Sequence, residues 1–436
     1  MLIVDQFFYM EKKYSLFEIK ENEKFPLWDI LRSDIYRLLV YKSYVKSLEN
    51  IDINKKKYIF NHIYNIISFL FHIPFFRKKY LIFPASRYMN SKGVYFDKSA
   101  ISVIKLLSNK ALVFEATFKL LDYPYNYNYC FFFRRILKAN NLNQKDYCII
   151  KTALEDCFPE NKIPYDYLND AYMRFQKDFK FYSLLFKILK PQKVICSIGD
   201  FRALFFACKL QKIESILIQH SGIERDTIEF SYPSFVTLKS NIIFCDKLFT
   251  FGSYWGKNMN LPTDVVPLGN DYFNNIPIDA SDNSVLIIST IIHGNELKIL
   301  TKEMALIRKD LIFNYKLHPN EYHNKQLYVD YFKNIENVIV LSLEYDTSIL
   351  ISRSQLVVLI VSGVLYEALN QNKKVAIYKK IDYDRSIIYQ KIPNLFIVDN
   401  AIEVLSVINA ENKKSNESYY SSIDFDLMKQ KVYSRK

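Results

Sequence analysis

From about residue 78 onward, short runs rich in Ile, Val, Leu and Phe recur along this chain, and stretches with helical spacing separate most of them. "KYLIFPAS" is followed by the helix-like "KSAISVIKLLSN" and then by "KALVFEAT". "KVICSIGD" (193–200), "FRALFFACKLQKI" and "SILIQHSG" form a further β-α-β unit, and "DKLFTFGSYWG" and "DVVPLGND" add two more short strands. A second series starts near 284 with "SVLIIST", "LIFNYKLHP", "NVIVLS", "LVVLIVSG", "KVAIYKK" and "LFIVD", most of them separated by helical stretches. Strands alternating with helices pair in parallel and lie under helices, which dictates an α/β class. Glycine occurs only eight times, at 93, 199, 222, 252, 256, 269, 294 and 363; seven of these follow residue 198, each beside an apolar run. A chain this poor in glycine keeps it where backbone geometry or close approach demands it.

At 436 residues the chain exceeds one ordinary core. The expected division is a helical and irregular N-terminal extension over 1–77 and two doubly wound, Rossmann-like domains over 78–275 and 276–436. The ligand cleft is expected at the carboxyl ends of their sheets. Six cysteines (130, 148, 157, 196, 208, 245) form no CxxC pair, so reduced thiols and no bound metal are expected. No apolar stretch reaches the roughly 18–20 residues of a spanning helix, and the N-terminus lacks the order of a signal peptide. A cytoplasmic protein is expected. The net charge of +13 calls for an anionic partner. Without an RRM, zinc-knuckle or helix-turn-helix pattern, nucleic acid is not expected to be that partner. "NHIYNIISFLFHIPFFRKK" lies between Lys55-Lys56-Lys57 and Arg77-Lys78-Lys79. It reads either as a core-packed helix or as a segment lying on anionic lipid, which would make the protein peripheral on the inner face of the membrane.

Three strand-end loops of the second series carry polar residues. Ser289, Thr290, His293 and Gly294 follow the first strand, His318 and Pro319 end "LIFNYKL", and Ser362 and Gly363 follow "LVVLIV" and open a helix. Parallel strands bring such loops to one edge, so residues 44 positions apart can converge. A helix start with serine and glycine suits a phosphate, and Glu367 on the next turns is placed to accept hydrogen bonds from a ribose.

"KLHPNE" followed by "VSGVLYEALNQNKKVAIY" resembles the HP and serine-containing phosphate motifs of GT-B glycosyltransferases of bacterial surface polysaccharide assembly. The pattern is similar to that of polysialyltransferases, capsular Kdo transferases and CDP-glycerol glycerophosphotransferases. "ILIQHSGI", "LFTFGSYWGKNM" and "VVPLGNDYF" are similar to further stretches of that group, and the resemblance spans about residues 190 to 400. It implies the GT-B fold, with His318, Ser362 and Gly363 on the phosphate of a nucleotide-activated donor and Pro319 fixing the loop; Ser289, Thr290, His293 and Gly294 are expected to contact the same donor. Several relatives have two hydroxyl residues where this chain has Ser362-Gly363, which bears on donor identity. The late "DYD" (382–384) is read as a polar loop, and no required metal or other cofactor is expected.

Such a transferase needs a base for the acceptor hydroxyl. The candidates are Asp200 in "SIGDF" and His220 in "QHSG", followed by Glu224, Asp226, Glu155 and Asp156. The polar loop "RYMNSKGVYFDK" (87–98) is a candidate acceptor contact. The expected activity is inverting, metal-independent sugar transfer from a cytidine-nucleotide-activated donor, CMP-sialic-acid-like or CMP-Kdo-like. The acceptor would be a capsule, O-antigen or lipopolysaccharide-type glycan, free or lipid-linked. The alternatives are a CDP-glycerol, CDP-ribitol, UDP- or GDP-sugar transferase, a GT-B-fold epimerase, and a non-catalytic glycan-binding or assembly module.

Overall fold

The computed structural model describes residues 2–21, 25–40, 79–85, 88–89, 94–115, 126–128, 137–197, 202–236, 242–257, 259–274, 282–360, 362–379 and 391–434. Asp200, the segment 63–76 with nearly all of its basic flanks, and "DYD" lie outside them.

The chain divides into two units. Unit 1 comprises Met1–Thr250, Gly256–Leu268 and Asp424–Lys436, and unit 2 comprises Phe251–Trp255 and Gly269–Ile423. In unit 1, helices α1 (Ile3–Lys13) and α2 (Leu27–Val40) precede strand β1 (Tyr80–Phe83), α3 (Ile101–Leu107), β2 (Ala111–Glu115) and β3 (Asn126–Asn128). Helices α4 (Gln144–Cys157) and α5 (Tyr165–Leu189) lead to β4 (Lys193–Cys196), α6 (Arg202–Gln211), β5 (Glu214–Ile218), β6 (Lys247–Thr250) and β7 (Asp264–Pro267). The seven strands lie in the order β7-β6-β5-β4-β1-β2-β3, every pairing parallel.

Unit 2 repeats the design with β8 (Ser284–Ile288), α7 (Gly294–Ile307), β9 (Ile312–Lys316), α8 (Lys325–Phe332) and β10 (Val338–Leu341). It continues through α9 (Thr347–Arg353), β11 (Leu356–Leu359), α10 (Val364–Asn370), β12 (Lys374–Tyr378), β13 (Leu395–Val398) and α11 (Ala401–Val407). Its sheet runs β10-β9-β8-β11-β12-β13, again all parallel. In both sheets the first strand of the unit sits between the second and the fourth, the doubly wound topology whose order reverses beside that strand. Each unit is therefore Rossmann-like, and the α/β class read from the alternating runs holds. Every residue of β4, β5, β8 and β11 is buried. Covered on both faces, these strands read as largely apolar runs rather than alternating ones, with β4 and β5 starting on the buried Lys193–Glu214 pair.

The N-terminal helices are not an appendage. Arg32, fully buried, meets the buried Glu11 at 2.8 Å and donates to the carbonyls of Ile228 (2.7 Å) and Ser231 (3.0 Å). Asp29 pairs with Arg202 at 2.7 Å and accepts from the Tyr232 hydroxyl and the Ile243 amide. Charges taken out of water this completely persist only when geometry and extra hydrogen bonds offset the desolvation. The described part of the expected extension is thus built into unit 1.

The last helix, α12 (Phe425–Tyr433), also returns to unit 1, although the sequence reading assigned it to the second domain. Glycines mark the crossings. A Cβ on Gly252 would lie 2.3 Å from the Ser418 carbonyl, and one on Gly269, whose φ is +89°, 2.3 Å from that of Ser422. The Ser421 amide donates to the Phe251 carbonyl and the Asn270 amide to the Ser421 carbonyl, so three chain segments are laced by their backbones. Between them Trp255 packs into unit 2 against Tyr366, with ring centroids 4.5 Å apart, and donates to the Tyr419 carbonyl at 2.7 Å.

Candidate functional site

Strands β9, β8 and β11 are neighbours, so the loops that follow them share one edge of the unit 2 sheet. With strands about 4.8 Å apart, the tips of β9 and β11 stand roughly 10 Å from one another, on either side of the tip of β8. His318, the Ser289–His293 loop and Ser362 occupy these three tips, the position where the strand order reverses.

After Lys316 the ladder stops and His318 caps the 3-10 helix Pro319–Asn324. Its Nδ1 accepts the Asn320 amide at 3.2 Å, while the Glu321 carboxylate accepts the His318 amide at 3.0 Å, a reciprocal capping box. Pro319 takes the first helical position, where its missing N–H is no loss. Burial holds the His318 pKa below the ordinary histidine value, partly opposed by Glu321. The ring is therefore neutral near pH 7. Because Nδ1 is an acceptor, the proton sits on Nε2, which has no partner among the described residues. The site thus presents a fixed N–H donor at the strand tip.

Glu321 is the hub of this arrangement, and the sequence reading passed over it. Its carboxylate is buried and also accepts from the Ser289 hydroxyl at 2.8 Å and the Tyr328 hydroxyl at 2.5 Å. The Tyr315 hydroxyl closes the cluster on Ser289 (3.3 Å) and on the Gly294 carbonyl (2.8 Å). Burial raises the pKa of both tyrosines, Tyr315 and Tyr328. A Cβ on Gly294 would lie 2.8 Å from Glu321 Oε1. Ser289, 1% exposed, and Gly294 are therefore fitted to the carboxylate, in contrast to the donor contacts expected of them. Thr290 and His293 are half-buried in the same loop, with Thr290 Oγ1 accepting the His293 amide at 3.1 Å.

At the third tip Ser362 Oγ accepts the Val364 amide at 3.2 Å, and the amides of Leu365 and Tyr366 bond to the carbonyls of Ser362 and Gly363. The start of α10 is thus largely satisfied internally. The Gly363 amide has no acceptor among the described residues. Gly363 has a φ of −62°, and a Cβ there would meet nothing within 4 Å. Neither backbone strain nor packing requires glycine at this point, and the space over it is open. Glu367 is half-buried, with the Ser348 hydroxyl at 3.5 Å from Oε2.

In unit 1, His220 is half-buried at the tip of β5, after Gln219, which donates to the Ser221 carbonyl at 2.8 Å. At the reversal point of that sheet, between β1 and β4, stands Asp97, from the loop singled out in the sequence. It is buried and accepts the amides of Ala85 (2.8 Å) and Ser99 (2.8 Å) and the Ser197 hydroxyl. Burial pushes its pKa up against these hydrogen bonds. "DKSA" ahead of a helical run carries the signature of such a cap, and the sequence reading did not use it.

No family model matches the sequence, and no curated protein matches it. Among solved structures, the UDP-GlcNAc 2-epimerase of Methanocaldococcus jannaschii is similar over 81% of this chain and 99% of its own, at 12% identity and a TM-score of 0.46. MurG of Acinetobacter baumannii covers 76% of this chain and 89% of its own at 11% identity and a TM-score of 0.44. A glycosyltransferase of Rickettsia africae covers 82% and 100%, at 12% identity and a TM-score of 0.42. At these scores the likeness carries no functional weight.

Proposed function

We propose that the protein is a glycosyltransferase of the GT-B type whose unit 2 holds the phosphate of a nucleotide-activated sugar. The observation that carries this reading is the neutral His318 ring, locked by Glu321 with Nε2–H as its remaining donor. It stands on the same sheet edge as Ser362 and the open face of Gly363. Fixed donors of this kind stabilise charge that develops on a departing phosphate without reorganising during the reaction. The Ser362 hydroxyl accepts the Val364 amide and keeps its own hydrogen to donate to the ligand, and Glu367 and Thr290 flank the same tips as sugar or ribose contacts. The donor is assigned as cytidine-activated, CMP-sialic-acid-like or CMP-Kdo-like, on the sequence motifs alone. The acceptor is assigned as a bacterial surface glycan, and transfer as inverting and without a required metal. We assign removal of the acceptor proton to Asp200 or His220.

The test is a panel of cytidine, uridine and guanosine nucleotide sugars, with nucleotide release measured with and without glycan acceptor. His318→Ala and Ser362→Ala are each expected to lower turnover roughly tenfold or more, about 1.4 kcal/mol of transition-state stabilisation. Asp200→Asn or His220→Asn, whichever removes the base, should lower kcat about 10²-fold with nucleotide affinity unchanged. Full activity in both strand-tip variants would remove the phosphate from this edge. Release that needs no acceptor would favour an epimerase or hydrolase on the same fold.

A further inference from the structure

The edge of the unit 1 sheet opposite its ligand edge, where the strands begin, is rich in lysine. A cleft of about 850 Å³ there is lined by Lys79, Lys110, Lys193, Lys212, Glu214 and Tyr433, among others. Among the described lining residues the one acid is already engaged: Glu214 pairs with Lys193 at 2.7 Å and with Lys247 at 2.5 Å. These two lysines also donate to the Lys431 carbonyl and so cap the end of α12. The rest of the charge is unbalanced. Lys79, Lys110 and Lys212 in the lining, and Lys187 and Lys190 beside it, are exposed, and none has a carboxylate partner among the described residues. The ends of α5 and α6 at this edge attract some positive charge by their dipoles. Five unpaired ammonium groups exceed what two helix ends require.

The same rim is apolar where it should be polar. Leu184 and Ile188, one turn apart on α5, are 55% and 47% exposed, and Leu210 at the end of α6 is 59% exposed. Gln211, which lines the cleft, donates to the Ser183 carbonyl at 3.1 Å and ties the two helix ends together. The three aliphatic side chains therefore border the lysines rather than lying scattered. Tyr433 sits at the same place, with the Lys110 ammonium 4.8 Å from its ring centroid. Lysines with exposed aliphatic chains and a tyrosine match a boundary of anionic headgroups over acyl chains. A free phosphate would leave the aliphatic groups without a role. A nucleic acid would call for stacked aromatic platforms instead.

We propose that this edge of unit 1 docks on an anionic phospholipid surface, with the lysines at headgroup phosphates and Leu184, Ile188 and Leu210 in the outer acyl region. The inference rests on these residues alone and stands or falls separately from the assignment of the sugar-nucleotide site. The full chain should sediment with vesicles of phosphatidylglycerol and phosphatidylcholine, not with phosphatidylcholine alone, and binding should fall as salt rises. The triple variant Lys79→Gln, Lys110→Gln, Lys212→Gln should lower the partition coefficient by roughly 100-fold, about fivefold per lysine. Leu184→Ser with Ile188→Ser and Leu210→Ser should weaken binding at low and high salt alike. Both sets are surface changes and should leave the melting temperature and nucleotide-sugar turnover unaltered. Wild-type protein that ignores anionic vesicles at low salt would overturn the proposal, as would a lysine variant that binds like wild type. Release from vesicles by millimolar inorganic phosphate alone would show a small-anion site, and tighter binding to an oligonucleotide than to vesicles a nucleic-acid surface; either also overturns it.

Discussion

Glu321 governs what His318 can do. The carboxylate holds the backbone of the loop while the Asn320 amide occupies Nδ1, so protonating the ring would break the cap. Burial sets the folded pKa below the unfolded value of about 6.5. Between those two pH values the unfolded chain binds more protons, so stability rises with pH through that window and is lost as pH falls through it. An NMR titration should find the His318 midpoint below about 6.5. Glu321→Gln, which removes the charge that opposes the shift, should move it lower still. Gly294→Ala tests the hub directly. Its Cβ would press on Glu321 Oε1, and the expected loss is about 1–3 kcal/mol in denaturant melts. Glu321→Ala should relieve most of that clash in the double variant. The capping box was legible in the sequence as H-P-N-E, with an acid three residues after the cap. The roles of Ser289 and Gly294 were not, because their partner lies 32 and 27 residues away and only the fold brings it near.

Elements that are buried on both faces announced themselves. The unbroken apolar runs of β8 and β11 could hardly be anything but central strands, and the helices between them followed from spacing. Helices α1 and α2 were misjudged because Glu11, Asp29 and Arg32 look like surface charges when read singly. Their burial depends on pairs 21 to 214 residues apart. Arg32→Ala leaves Glu11 buried without its cation and the Ser231 carbonyl without its donor, so it should cost about 3–5 kcal/mol in urea unfolding. Replacing Arg32 and Glu11 together by Met and Leu should recover part of that loss and no more, since the Ser231 carbonyl stays unsatisfied and the Ile228 carbonyl keeps only the Ser231 amide. A double variant as damaged as Arg32→Ala alone would mean that the carbonyl bonds, and not the ion pair, hold α2 in place.

At the scale of the molecule, connectivity matters more than either sheet. Unit 1 is completed by α12, whose end carries the Lys193 and Lys247 contacts. Deleting residues 424–436 should therefore split the thermal transition seen by calorimetry. The component from unit 1 should move to lower temperature, while nucleotide binding by unit 2 persists. A single unshifted transition would show that α12 adds nothing to unit 1.

The same thread through Gly252 and Gly269 imposes an order on the protein's birth. Unit 1 begins to emerge first, yet its final helix lies beyond the whole of residues 269–423. At about 5–20 residues per second, the ribosome takes roughly eight to thirty seconds over that stretch. During that interval a nascent unit 1 waits with Lys193, Lys247 and the strand starts uncovered. By the end of that interval unit 2 has every strand it needs. The domain that is translated first is thus obliged to finish last.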